Sequence, residues 1–142
     1  MILDLFSRRV VGWAAGATLA AATVLAALQM ALRQRQPPRG LLYHSDRGVQ
    51  YACAEHRAVL ATAGLEPSMS RAGNPYDNAA MESFMATYKR ECVGPAEAAG
   101  GYATRADATA DFFAYAEIYY NRERLHSALG YQTPVDFETK VN

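Results

Sequence analysis

The sequence predicts an α/β fold whose C-terminal part is helical. Three observations carry this reading. Strand-type residues cluster in short runs near residues 2–13 and 40–46, apolar residues recur at helical spacing between and beyond them, and stretches rich in Gly, Pro and Asn punctuate the alternation. At 142 residues the chain suits one domain with a real core.

The opening "MILDLFSRRVVGW" reads as a hairpin. Ile2, Leu3, Leu5 and Phe6, then Val10, Val11 and Trp13, are strand-rich types joined near Ser7 and Arg8. Asp4 is expected to organise the turn with Ser7 or to pair with Arg8 or Arg9. From Thr18 to about Gln34 the alanines with Leu25, Leu28 and Leu32 fit one helix face, and Pro37 and Pro38 stop it for lack of N–H donors. "GLLYHSD", residues 40–46, is a third strand, apolar where it begins and acidic where it ends. "YACAEHRAVLATAG" is the next helix, with Val59, Leu60 and Ala63 at helical spacing and Gly64 as its C-cap. "LEPSM" is a weak fourth strand.

"SRAGNPYDN", residues 70–78, has the composition of a mobile loop. "NAAMESFMATYKREC" then reads as a helix capped by Asn78 or Asp77. "VGPAEAAGGYATRAD" predicts a break from Val93, most flexible at Gly100 and Gly101. A second long helix runs from Thr104 to about Arg124 and stacks Phe112, Phe113, Tyr115, Ile118, Tyr119 and Tyr120, a stripe expected in the core. The tail is expected to turn at Gly130 and to form a short helix after Pro134.

Composition excludes little and argues for little. Fourteen Lys and Arg balance fourteen Asp and Glu, so net charge makes no case for a nucleic-acid partner. Cys53 and Cys92 form no CxxC pair, and a reducing cytoplasm is the default compartment. Val10 to Leu32 is uncharged for 23 residues, the length of a membrane span, but much of it is alanine and it contains Gly12, Gly16, Thr18, Thr23 and Gln29. A strand followed by a packed Ala-rich helix is the better reading, with no membrane partner.

Two carboxylates stand out. Asp46 ends a strand, where α/β sheets build sites, and Glu82 lies one turn past Asn78 on the following helix, with 35 residues between the two. Hard divalent cations take carboxylate oxygens, and paired-metal phosphoryl transfer needs several of them converging. The bland alternative is a solvated Asp and a capping Glu. His44 shares a strand face with Asp46 and suits a supporting hydrogen bond better than ligation.

"YHSDRGVQY", "SRAGNPYDNAAMESFMATYKRE" and "YYNRERLHSALGYQTP" resemble, in this order, the three signatures of the DDE transposases of bacterial insertion sequences. The likeness is to the catalytic subunit of insertion-sequence family three, with its retroviral-integrase core, and it covers essentially the whole chain. The opening "LDLFSRRVVGW" is similar to that family's second and third strands. The resemblance implies an RNase H-like integrase core that cuts and joins DNA with Mg²⁺ or Mn²⁺. It makes Asp46 the second catalytic aspartate and Glu82 the glutamate, both metal ligands. It places Lys89, two helical turns past Glu82, on DNA phosphate near the metals, and extends DNA contact to Arg71, Asn78 and Arg124.

Other residues keep two readings. Gly73, Asn74 and Pro75 suit a loop closing over DNA or an ordinary connection. Arg122, Arg124 and His126 could meet phosphates, but a cationic helix end anchored by Leu125 and Leu129 is the favoured reading.

The resemblance also implies a gap. The family's first catalytic Asp is expected on a central first strand upstream of Met1, and Asp4, which matches the second strand, does not replace it. The expectation is therefore a partial integrase core over residues 1–95, lacking its first strand, and a C-terminal helix and tail over 96–142. The complete enzyme would act on insertion-sequence ends and target DNA as a homo-oligomer. The isolated chain is expected to be inactive, and the alternative is a remnant that at most binds DNA or full-length subunits.

Overall fold

The computed structural model describes residues 1–18, 20–46, 53–69 and 78–141. Expectations for Arg71, Gly73, Asn74, Pro75 and Asp77 lie outside the described residues. The order is β1 (Ile2–Leu3), β2 (Val10–Gly12), α1 (Ala21–Arg35), β3 (Leu42–Ser45), α2 (Ala54–Ala63), β4 (Glu66–Met69) and α3 (Ala79–Tyr88). There follow a π-helical segment (Lys89–Val93), α4 (Gly94–Ala98), α5 (Arg105–Phe113), a second π-helical segment (Ala114–Tyr120), a 3₁₀ turn (Ser127–Leu129) and α6 (Pro134–Val141). The mixed α/β class is as expected.

The strands make two two-stranded sheets, β1 with β2 and β3 with β4. β3 and β4 run parallel with Leu42 opposite Glu66 and His44 opposite Ser68, joined through α2. The weak strand at Glu66 is therefore real: its backbone completes the ladder that β3 begins.

The chain divides into two compact units. One comprises Met1–Ile2 and Val11–Ala79, the other Leu3–Val10 and Ala80–Asn142. α3 falls almost wholly in the second unit, where it packs its rings onto those of the segment beyond it.

In the first unit Leu28, Leu60 and Leu65 form the core, with Ile2, Leu32, Tyr43, Val59 and Ala63 packed on it. Gly12 allows β2 to lie on α1: a Cβ there would overlap the Ala27 carbonyl oxygen and crowd Ala31. Gln36 caps α1 in the left-handed region, its N–H given to Leu32 O, just ahead of Pro37 and Pro38. Gly64 ends α2 as expected, at φ 70°, with its N–H on Ala61 and Leu60 carbonyls. No helix among the described residues is long and apolar enough to cross a membrane.

In the second unit the hairpin turn is held by Asp4, whose Oδ1 accepts from Phe6 and Ser7 N–H at 2.8 and 3.2 Å. Leu5 and Phe6 are exposed in this turn and not in the strand. Arg9 pairs with Glu138 of α6 at 2.8 Å, and Phe6 packs on Phe137. Asn121 reaches back to β2: its Oδ1 accepts the Val10 N–H at 2.9 Å and its Nδ2 donates to the Val10 carbonyl at 3.0 Å. All these atoms are buried, so one amide side chain stands in for a neighbouring strand at this edge.

The expected break from Val93 is not there. The helix continues from α3 through the π segment into α4, and Pro95 is accommodated because it lies where the widened ladder returns to α geometry and its missing N–H costs little. The chain breaks at Gly100 and Gly101, with φ 112° and 79° and open space around both, as the sequence indicates. Thr104 then starts α5 with a full capping box to Asp107. The aromatic stripe is only partly core: Tyr115 and Tyr120 are buried, but Phe113, Ile118 and Tyr119 are exposed, because the π segment turns the stripe off one face. Gly130 makes the expected turn and Pro134 opens the expected short helix.

Candidate active site

Asp46 follows β3. Burial alternates along this strand: Leu42, His44 and Asp46 are exposed, and Tyr43 and Ser45 are half-buried. His44 and Asp46 therefore share the open face, as the two-residue period requires. His44 Nδ1 lies 3.2 Å from Ser68 Oγ on β4, a hydrogen bond that orients the ring beside the carboxylate. Tyr43, on the other side, packs against the core and against the buried His56 ring.

Glu82 belongs to the second unit, in the first turn of α3, and its side chain is exposed. Lys89 opens the π segment and is also exposed. The opposite side of α3 is apolar: Phe84 is buried, with its ring 4.8 Å from Tyr120 and 6.4 Å from Tyr115, and Tyr88 packs on Phe112 and Tyr115. The aromatic seam thus leaves Glu82 and Lys89 on an open side of one helix. Asn78 is half-buried immediately before α3.

Arg124, expected on DNA, is engaged within the protein. Its guanidinium forks onto Glu91, Nε to Oε2 at 2.8 Å and Nη2 to Oε1 at 2.9 Å, and Tyr115 OH donates to the same Oε2 at 3.0 Å. The fork from Arg124 holds the Glu91 carboxyl below its ordinary range, against the opposing effect of partial burial, and Glu91 in turn raises Arg124. The favoured reading of this region as a helix-end cluster is half met: Leu129 is buried, but Leu125 is exposed. His126 is buried edge-on against Tyr120, and burial lowers its pKa.

Sequence reading missed a second polar cluster. Cys92 Sγ donates to Asp111 Oδ2 at 3.2 Å, and Tyr102 OH donates to the same oxygen at 2.5 Å. Burial and the bond to Asp111 push the Cys92 thiol up to about 11. Nothing in the local pattern marks these three residues, which meet across the Gly100–Gly101 break.

The carboxylates of Asp46 and Glu82 are exposed oxygen donors, the chemistry that a hard divalent cation takes, so they fit such an ion in kind. Among the described residues no group of three or more His, Cys, Asp or Glu gathers into a metal site. Each of the two residues offers one exposed carboxylate as a donor.

The chain is thus an α/β protein with one exposed carboxylate after a strand and another on a helix. Two family models described as integrase core domain match this chain, over residues 1–75 and 63–134, and the chain belongs to the integrase core domain family. That family has an RNase H-like core and works with divalent metal ions. The transposase for insertion sequence element IS904 of Lactococcus lactis is 43% identical over 136 residues, covering 96% of this chain and 52% of the relative. The transposase InsF for insertion sequence IS3A of Escherichia coli is 41% identical over 140 residues, covering 99% of this chain and 47% of the relative. An insertion element IS600 protein of Shigella sonnei is 42% identical over 141 residues. The chain spans about half the length of the curated relatives it matches. These relatives bear out the resemblance drawn from the three motifs.

Proposed function

We propose that this chain is the catalytic-core portion of an insertion-sequence transposase, which cleaves phosphodiesters at element ends and joins them to target DNA. What supports it most is membership of the integrase core family, with the matched motifs carrying two exposed carboxylates, Asp46 after β3 and Glu82 on α3. In this reading Asp46 and Glu82 hold Mg²⁺ or Mn²⁺. When bound, the ion would activate the attacking oxygen and stabilise the leaving one. His44, tied to Ser68, keeps the Asp46 side of the site oriented. Lys89 draws a DNA phosphate to the Glu82 side of α3, and Asn78 and Arg71 add backbone contacts. Arg124 serves DNA indirectly, through Glu91. The protein works as a homo-oligomer on DNA, in the cytoplasm.

The test is a chimera. This chain replaces the matched segment of the Lactococcus lactis relative, and transposition is scored in cells. The expected result is transposition that falls to background with Asp46→Asn or Glu82→Gln. Transposition that survives both substitutions would overturn the assignment.

A second reading is that the isolated chain is catalytically inactive and at most binds DNA or full-length transposase subunits. Strand transfer by the purified chain that is lost in Glu82→Gln would refute this second reading.

A further inference from the structure

We infer that Glu91 is a positioning residue: clasped by Arg124 and Tyr115, it sets the rotation of the 79–98 helix about its own axis, and so where Glu82 and Lys89 point. The inference rests on the proposed roles of those two residues.

The contact of α3 with the second long helix is mainly a seam of rings, Phe84 and Tyr88 against Phe112, Tyr115 and Tyr120. Ring packing of this kind has many near-equivalent arrangements, because dispersion and area burial are non-directional. A helix held only by such a seam can roll by a fraction of a turn at small cost. A bidentate Arg–carboxylate fork is different, since two parallel N–H···O bonds are satisfied in one geometry only.

Glu91 lies nine residues past Glu82, about two and a half turns, and therefore on the seam side. Lys89 lies seven residues past Glu82, about two turns, and therefore on the open side. The carboxylate of Glu91 collects Nε and Nη2 of Arg124, the Tyr115 hydroxyl and, at 3.4 Å, Nη2 of Arg90.

The two π-helical segments support the same conclusion. Glu91 sits in the first and Tyr115 in the second, and Arg124 lies four residues past the end of the second. Each π turn inserts a residue and costs regular hydrogen bonding, so a specific partner is needed to hold it. Here each segment's polar side chain meets the other's. Arg124 Cζ also lies 6.0 Å from the centre of the Tyr120 ring, which ties the fork to the seam it locks.

The experiment compares DNA affinity as a function of salt for the full chain and for Glu91→Gln, Lys89→Ala and the double variant, with circular dichroism as a check on folding. A charge-only account predicts that removing the Glu91 carboxylate tightens DNA binding and steepens the salt dependence. Positioning predicts the reverse: Glu91→Gln weakens binding, flattens the slope of log K against log salt by about 0.9, the contribution of one phosphate, and adds nothing to Lys89→Ala. Tighter binding by Glu91→Gln would overturn the inference. If Lys89→Ala leaves DNA binding unchanged, the DNA role of Lys89 fails separately. Residual dipolar couplings of amides 79–98 then decide the positioning role: a reorientation of that helix in Glu91→Gln with its helicity intact supports it, and unchanged couplings overturn it.

Discussion

Replacing Asn121 by alanine tests how the hairpin is held to the second unit. In the native chain the Asn121 amide satisfies both the N–H and the carbonyl of Val10, with all of these groups buried. Alanine removes both partners and brings none in return. A buried backbone group left without a hydrogen bond costs about 1–3 kcal/mol, and the cavity where the amide stood is small, so the expected loss is about 3 kcal/mol. Against total stabilities of about 5–15 kcal/mol this is a large fraction. The assay is urea unfolding followed by far-ultraviolet circular dichroism, with wild type and variant compared at equal slope. Asn121→Asp sharpens the result at neutral pH, since it keeps an acceptor for the Val10 N–H but opposes the Val10 carbonyl with a second acceptor; it is expected to lose nearly as much. A loss below about 0.5 kcal/mol for Asn121→Ala, the range of an ordinary surface substitution, would refute the clamp.

Three further outcomes are expected. Gly12→Ala forces a methyl group against the Ala27 carbonyl and Ala31, and thermal unfolding should register a loss of about 1–3 kcal/mol as β2 and α1 part. Glu91 has a lowered folded-state pKa, so the stability it contributes is present above its unfolded value and is lost as pH falls through the folded one; unfolding measured below neutral pH should show this acid loss in wild type and a smaller one in Glu91→Gln. The Cys92 thiol, buried and raised to about 11, should resist a thiol reagent at pH 8 in the folded chain and react at the ordinary rate in urea, whereas the half-buried Cys53 reacts earlier.

Much of the fold was legible because it is written in local chemistry. Asp4 with Ser7 in the hairpin turn, Pro37 and Pro38 after α1, Gly64 at the end of α2, Gly100 and Gly101 at the break, and Thr104 with Asp107 at the next helix start all act within a few residues of themselves. Asp46 and Glu82 were singled out for another reason: their motifs and spacing resemble those of a family, which the matching family models show. What stayed hidden acts at a distance or through irregular geometry. Asn121 looks like a surface residue until it meets Val10, 111 positions away, and Glu91 looks like one more helix charge until Arg124 arrives 33 positions later. The break expected from Val93 failed because Gly and Pro normally end helices, and only a π turn makes room for Pro95. The aromatic stripe was read with α periodicity, and the second π segment moves Phe113, Ile118 and Tyr119 out of the core. Arg71 and the loop around it lie outside the described residues, so their proposed contact with DNA rests on the motif.

The central proposal is that Asp46 and Glu82 are both ligands of a divalent metal ion. Titrating Mn²⁺ into the ¹⁵N-labelled chain measures this directly, because the paramagnetic ion broadens amides close to it. Broadening of residues around 46 and around 82 at a common midpoint, lost at both places in Glu82→Gln, is the predicted result. Broadening at only one of them, at two unrelated midpoints, or nowhere would contradict the claim.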